Sequence, residues 1–316
     1  MKDPIPSKEE FMQVCDRVKP YVHKTPVLTS SFLNEISGAS LFFKCENFQK
    51  MGAFKMRGAI NAILQLSDEQ KKAGVVTHSS GNFAQALSLA AQNLGVKAYI
   101  VMPENAPKVK KEAVSSYGGS ITESKSTLEA RENAANNIVL EKGATFIHPS
   151  NNREVILGQG TAAAELFNNF PNLDYIISPV GGGGLIAGTA LAAHYLSKKC
   201  KVLGGEPFGA DDAFRSFQSG KIEENIEINT VADGLRTQLG DQNFPIIKKY
   251  VSEIIRVEEE EIITALRYIW ERMKIVVEPS SAVALASVLR KKEKFRNKKI
   301  GIILSGGNVD LSNLPF

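Results

Sequence analysis

From about residue 40 onward, short β-branched and aromatic runs alternate with longer stretches of helical periodicity, which restricts the fold more than any other feature. Candidate strands cover 41–44, 75–78, 98–102, 145–148, 175–179, 202–205, 254–257 and 300–304. Helical patterns fill the intervals, among them 82–94, 108–117, 127–141, 185–196 and 259–273. Alternation at this spacing predicts right-handed βαβ units and parallel sheets covered by helices on both faces. Ser7-Lys8-Glu9-Glu10 has the pattern of a capping box and predicts a helix ahead of the first strand. The segment 75–148 holds about four strand–helix units. It is expected to form a smaller domain inserted into a larger one made of 1–74 and 149–316.

Charge and cysteine usage exclude several function classes. The 38 basic and 34 acidic residues leave a formal charge of +4 without a basic block, which argues against nucleic-acid binding. Cys15, Cys45 and Cys200 lack both the spacing of a zinc site and the density of a disulfide framework, so a reducing compartment is expected. The polar start Met1-Lys2-Asp3-Pro4 leads into no apolar run, and no stretch approaches the ~18 apolar residues of a membrane span. A cytoplasmic protein is the expectation.

In open α/β sheets ligands bind beyond the carboxyl ends of strands, and four turns carry the chemistry. Ser79-Ser80-Gly81-Asn82 follows a strand and opens a helix, so its free N–H groups suit a carboxylate or phosphate. Gly181-Gly182-Gly183-Gly184 stands in the same relation and lets backbone approach a ligand closely, as in a phosphate cradle. On its own it also matches a dinucleotide fingerprint, Gly182-x-Gly184-x-x-Ala187, with Glu206 about 20 residues on. Ser305-Gly306-Gly307-Asn308 offers a neutral hydroxyl. Within Gly52-Ala53-Phe54-Lys55-Met56-Arg57-Gly58, Lys55 is flanked by apolar residues, a setting that lowers an amine's pKa. Amine, anion cradle, carboxylate pocket and hydroxyl together are what pyridoxal phosphate (PLP) requires. A nicotinamide dehydrogenase would leave Lys55 and Ser305 without a task.

From Thr25-Pro26-Val27-Leu28-Thr29-Ser30-Ser31 to Ser305-Gly-Gly-Asn-Val-Asp310, the chain resembles the serine racemase and serine/threonine dehydratase family. The run Lys44-Cys-Glu-Asn-Phe-Gln-Lys-Met-Gly-Ala-Phe-Lys55 is most similar to eukaryotic serine racemases and hydroxyaspartate dehydratases. The resemblance implies an α/β fold of the fold-type II, tryptophan synthase β-like kind, with two parallel-sheet domains and PLP between them. It implies that Lys55 holds the cofactor and acts as base on one face of the substrate, with Ser80 as acid/base on the other. Asn82 would meet the cofactor's ring hydroxyl, Gly181 to Gly184 with Leu185 its phosphate, and Ser305 its pyridine nitrogen. Ser79, Ser80 and Asn82 would line the substrate-carboxylate pocket, with Arg131 nearby.

The resemblance further implies a divalent site for Mg²⁺ (or Mn²⁺ or Ca²⁺) at Glu206, Asp212 and the carbonyl of Ala210, oxygen donors suited to a hard cation. It also implies ATP as an allosteric activator at a homodimer interface, at Ser30, Ser31, Phe32, Lys50, Met51, Gln85, Tyr117, Lys274 and Asn308. Phe32 and Met51 differ from the family pattern, as do Phe83, where a His is usual, and Ala53, where many members carry Ser. The expected activity is serine racemisation with β-elimination of serine to pyruvate and ammonia. The alternative is an ammonia-lyase acting on L-serine, L-threonine or threo-3-hydroxyaspartate with little racemisation.

Overall fold

The computed structural model describes residues 5–316, so the polar start at 1–4 lies outside the described residues. Among the described residues ten strands form two sheets. The larger has the order β1-β2-β10-β7-β8-β9, from Val27–Leu28 (β1), Ser40–Cys45 (β2), Tyr175–Pro179 (β7), Lys201–Pro207 (β8), Val251–Val257 (β9) and Lys299–Leu304 (β10). All its pairings are parallel except β1 with β2. The smaller, entirely parallel sheet has the order β5-β4-β3-β6, from Val75–His78 (β3), Ala98–Pro103 (β4), Ser120–Ser124 (β5) and Thr145–Phe146 (β6).

Helices α1 (Lys8–Val18), α2 (Ser31–Ser37), α3 (Lys55–Leu64), α4 (Asp68–Ala73) and α5 (Asn82–Asn93) come first. Then follow α6 (Lys108–Ser116), α7 (Leu128–Lys142), α8 (Arg153–Asn169), α9 (Gly184–Leu196) and α10 (Asp212–Ser219). The last three used below are α11 (Phe244–Tyr250), α12 (Glu259–Tyr268) and α13 (Pro279–Arg290). The capping box at α1 forms as expected. Ser7 Oγ accepts the Glu10 N–H at 3.2 Å, and the Glu10 carboxylate accepts the Ser7 N–H at 2.8 Å. None of the described helices is long and apolar enough to cross a membrane.

Three helices beneath the large sheet pack at glycine crossings. A Cβ on Gly158 of α8 would lie 2.4 Å from the Arg57 carbonyl of α3, and one on Gly188 of α9 would lie 2.4 Å from the Ile156 carbonyl of α8. Backbones approach this closely only where no Cβ intervenes. The crossings hold α3, which begins at Lys55, against α8, and α8 against α9. Strand ends feed three of the four turns singled out above, 79–82 after β3, 181–184 after β7 and 305–308 after β10, while the Lys55 segment leads into α3 and the acidic bend before α10 follows β8.

Candidate active site

Lys55 is the first residue of α3. It keeps part of its surface open, yet its Nζ lies 4.9 Å from the Phe54 ring centroid and 5.8 Å from that of Phe83, and donates to the Pro149 carbonyl at 3.0 Å. Burial lowers its pKa to about 8, with the negative charge of Glu278 opposing the shift. Phe83, where the family pattern has a His, is therefore one of the apolar walls that keep this amine from water.

The turn carrying Ser305 is tied directly to the loop carrying Lys55. The Ser305 carbonyl accepts the Phe54 N–H at 3.0 Å, Ala53 and Gly306 form an antiparallel bridge, and Gly307 N–H reaches the Gly52 carbonyl at 2.9 Å. Ser305 Oγ is buried, 3.0 Å from Ser281 Oγ. Ser281 spends its single proton on the Gly306 carbonyl at 2.7 Å. Ser305 is therefore the donor of the shared contact, and can turn that proton toward an acceptor such as a ring nitrogen.

Gly181 to Gly184 run from the end of β7 into α9, all four buried, with Gly183 at φ +79°. The turn is closely walled. A Cβ on Gly182 would stand 2.3 Å from Ser150 Oγ, one on Gly184 2.5 Å from Gln159 Oε1, and one on Gly181 2.8 Å from Leu235 Cα. The first turn of α9 holds no acidic side chain, so its N-terminal N–H groups and dipole remain available to an anion.

Asn82 opens α5, and hydrogen bonds fix the orientation of its amide. Nδ2 donates to both carboxylate oxygens of Glu278 at 3.0 Å, while Oδ1 accepts from Asn308 Nδ2 at 2.9 Å. Ser79 and Ser80 are half-buried, and nothing lies within 4 Å of a Cβ built on Gly81, so this turn borders open space. Arg131 sits on α7, where Nε donates to the Thr127 carbonyl at 3.4 Å; its charge is felt by His78, one residue before Ser79.

Two residues of this region carried no functional signal in the sequence. Glu278 is buried, and desolvation raises its pKa to about 7 despite the Asn82 amide. His148 accepts the Ser150 and Asn151 N–H groups on Nδ1 at 3.2 and 2.8 Å; burial and the neighbouring His78 and Lys55 lower its pKa to about 4. Its turn carries both Pro149, the acceptor of Lys55, and Ser150, which lines the glycine loop.

At the end of β8, Glu206 accepts the N–H groups of Ala213 and Phe214 at 2.9 and 2.7 Å. Asp212 accepts the Leu239 N–H at 3.1 Å and keeps Oδ1 buried without a partner, as does Asn225. The nearby Arg215 and Arg256 both pair with Asp211 instead. Burial raises the Asp212 pKa to about 6, and burial together with the Asp212 charge raises that of Glu206. Ala210 is buried in the same bend. Among the described residues no group of three or more His, Cys, Asp or Glu side chains converges, so this site rests on two acids and a carbonyl.

Of the residues expected at a nucleotide site, Met51 and Asn308 are joined directly, Asn308 Nδ2 donating to the Met51 carbonyl at 2.8 Å, with Met51 at φ 55°. Gln85 lies one turn into α5 from Asn82. Ser30 caps α2, where Ser31 begins, and Phe32 packs against Tyr268 and under Arg272. Lys274 ends the helical run after α12 at φ 60°, Tyr117 ends α6, and Lys50 precedes Met51.

The profile of one family, the pyridoxal-phosphate dependent enzymes, matches residues 18–306. The chain belongs to that family. It is 52% identical to serine racemase from Dictyostelium discoideum over 310 residues, 97% of this chain and 96% of that one. It is 47% identical to the β-hydroxyaspartate dehydratase of Paracoccus denitrificans over 312 residues, 99% of each chain. The crystal structure of the Dictyostelium discoideum serine racemase superposes with a TM-score of 0.93 at 50% identity, over 98% of this chain and all of that one. The enzyme thus has the fold-type II architecture expected from its sequence. Its glycine cradle, its partly desolvated lysine and its buried serine donor fit PLP in chemistry and in steric demand. Membership of a PLP-dependent family favours a phosphate cradle over a dinucleotide fingerprint as the reading of the glycine loop.

Proposed function

We propose that this enzyme interconverts the serine enantiomers and also eliminates water from serine, releasing pyruvate and ammonia. The observation that carries it is the conjunction of a partly buried amine at Lys55, its pKa lowered to about 8, with a hydroxyl, Ser80, on the open turn before α5. Bound PLP supplies an electron sink for the charge that develops at the substrate's α-carbon. Lys55 takes the α-proton of L-serine, and Ser80 Oγ delivers one to the other face when D-serine forms. Ser79, Ser80 and Asn82 receive the substrate carboxylate on hydroxyl, amide and N–H donors. Gly181 to Gly184 and Leu185 hold the cofactor's phosphate, Asn82 its ring hydroxyl, and Ser305 its ring nitrogen as a neutral donor. A neutral partner there moderates the electron sink and favours reprotonation or loss of the β-hydroxyl over transamination.

Glu206, Asp212 and the Ala210 carbonyl bind a divalent cation such as Mg²⁺. The unpaired Asp212 oxygen and the two acids held above their usual range support this, since a cation would satisfy both. A homodimer is the third element of the proposal, supported by the exposed Phe48 and Val276, brought close by the Asn47 Nδ2 bond to the Val276 carbonyl at 3.1 Å. ATP at Met51, Asn308 and their neighbours would act on the site through Asn82, which shares Asn308.

Purified enzyme incubated with L-serine, PLP, Mg²⁺ and ATP decides the matter when pyruvate and D-serine are quantified together. D-serine well above the enzyme-free control is expected. Pyruvate alone would make the enzyme a dehydratase. The hydroxyaspartate reading, favoured by the Paracoccus relative, is tested in the same assay with threo-3-hydroxyaspartate.

A further inference from the structure

Lys55 begins α3 without a side-chain cap, and its first turn carries no acidic residue to engage the helix dipole. What anchors this turn is two residues on. Arg57 is completely buried, and its guanidinium is saturated. Nε and Nη2 grip Glu46 at 2.7 and 2.9 Å, Nη1 and Nη2 grip Glu165 at 2.8 and 3.0 Å, and the remaining contacts reach Thr161 Oγ1 at 3.2 Å and the His23 carbonyl at 3.3 Å. Lys44, also completely buried, donates to Glu165 at 2.6 Å and to the Thr25 carbonyl at 2.7 Å, while Thr25 Oγ1 donates to Glu46 at 2.5 Å. Two cations and two anions thus form a closed neutral quartet joining β2, the turn after it, α3 and α8.

Such a quartet is a poor source of stability, because buried ion pairs gain little over apolar side chains of the same shape. It is a good source of position. A guanidinium gripped by two carboxylates at once admits one orientation, and it sits beside the Gly158 crossing that brings α3 to α8. We propose that Arg57, held by Glu46 and Glu165, is a positioning residue that fixes the first turn of α3 and so aims the Lys55 amine. It does not touch the substrate. This rests on Lys55 being the cofactor-bearing lysine.

The test compares the PLP-loaded parent with Arg57→Lys, which keeps the charge but loses the fork, and with the paired change Lys44→Met, Glu165→Gln, which removes one charge of each sign. Each variant is examined by circular dichroism, by kcat and KM for serine, and by the pH midpoint of the visible cofactor band; Lys55→Ala serves as control. The expected result is native circular dichroism, a kcat lowered about 10- to 100-fold as for a misplaced reacting group, a KM within about twofold, and a displaced spectral midpoint. Folded variants with the parent's kcat and midpoint, changed only in thermal stability, would overturn the proposal. So would aggregation of both variants, which would make the quartet a requirement of folding. Persistence of the visible band in Lys55→Ala would instead remove the premise, and the proposal with it.

Discussion

Single residues show how far chemistry could be read before the fold was known. Lys55, Ser305 and the four glycines were legible because each follows a strand or opens a helix and because their chemistries complement one another. Glu278 was not legible: it precedes Pro279 at the start of α13, so in sequence it looks like an acidic helix cap. Only the fold turns it toward Asn82. Two substitutions test the site at this scale. Ser80→Ala is expected to reduce D-serine formation about 100-fold or more, the usual loss for a general acid, while pyruvate formation from L-serine persists; chiral chromatography with a coupled pyruvate assay reads both. Gly182→Ala places a Cβ where Ser150 Oγ stands 2.3 Å away. The glycine loop must deform, and if it holds the cofactor's phosphate as proposed, cofactor affinity measured by fluorescence titration should fall at least 10-fold with the fold retained.

Elements were read best where apolar patterning is strong. The strands at 75–78 and 175–179 appear with the expected bounds, whereas β5 was missed because Ser120–Ser124 is a polar, half-exposed edge strand with no buried face. The expected strand 145–148 is cut to Thr145–Phe146. Ile147 still reaches the Val76 carbonyl, but His148 leaves the ladder to cap the turn that enters α8. That turn predicts a pH dependence. His148 Nδ1 accepts two N–H groups, so the ring must stay neutral in the folded state, with its pKa lowered from 6.5 to about 4. Between these values the unfolded chain binds a proton that the folded chain refuses. The stability contributed is full above pH 6.5 and is lost as pH falls toward 4, on the order of 3 kcal/mol. Glu278 acts with the opposite sign: its raised pKa makes the fold lose stability as pH rises from 4.5 to about 7. Subtracting the stability profile of His148→Asn from the parent's, by urea unfolding at pH 4 to 7, isolates the histidine and should leave a positive slope. A flat difference would mean that His148 is not held neutral by its turn.

At the scale of the whole molecule, the proposed cation site and the glycine loop proposed to hold the phosphate are one connected structure, which no linear pattern revealed. Asp212 holds the Leu239 N–H, the Leu239 side chain stands 2.6 Å from where a Cβ on Gly183 would be, and Asn243 donates to the Gly182 carbonyl at 2.8 Å. The acids were named only through the family resemblance, and the path not at all, because residues 239–243 join it only through tertiary contacts. A divalent cation at Glu206 and Asp212, as proposed, would neutralise two buried carboxylates and so fix Asp212, Leu239 and the floor of the glycine loop together. Binding to the folded state alone stabilises by about 2.7 kcal/mol at a hundredfold excess over Kd. With about 2.1 cal/mol/K of unfolding entropy per residue, that corresponds to a rise of roughly 4 °C in thermal midpoint for 316 residues. Chelation should therefore lower the midpoint by about this amount and weaken PLP binding in the same titration, and Mg²⁺ should restore both. Asp212→Asn should abolish the response to Mg²⁺ in both measurements. If chelation lowered the midpoint but left PLP affinity unchanged, the cation would stabilise the large sheet without reaching the cradle.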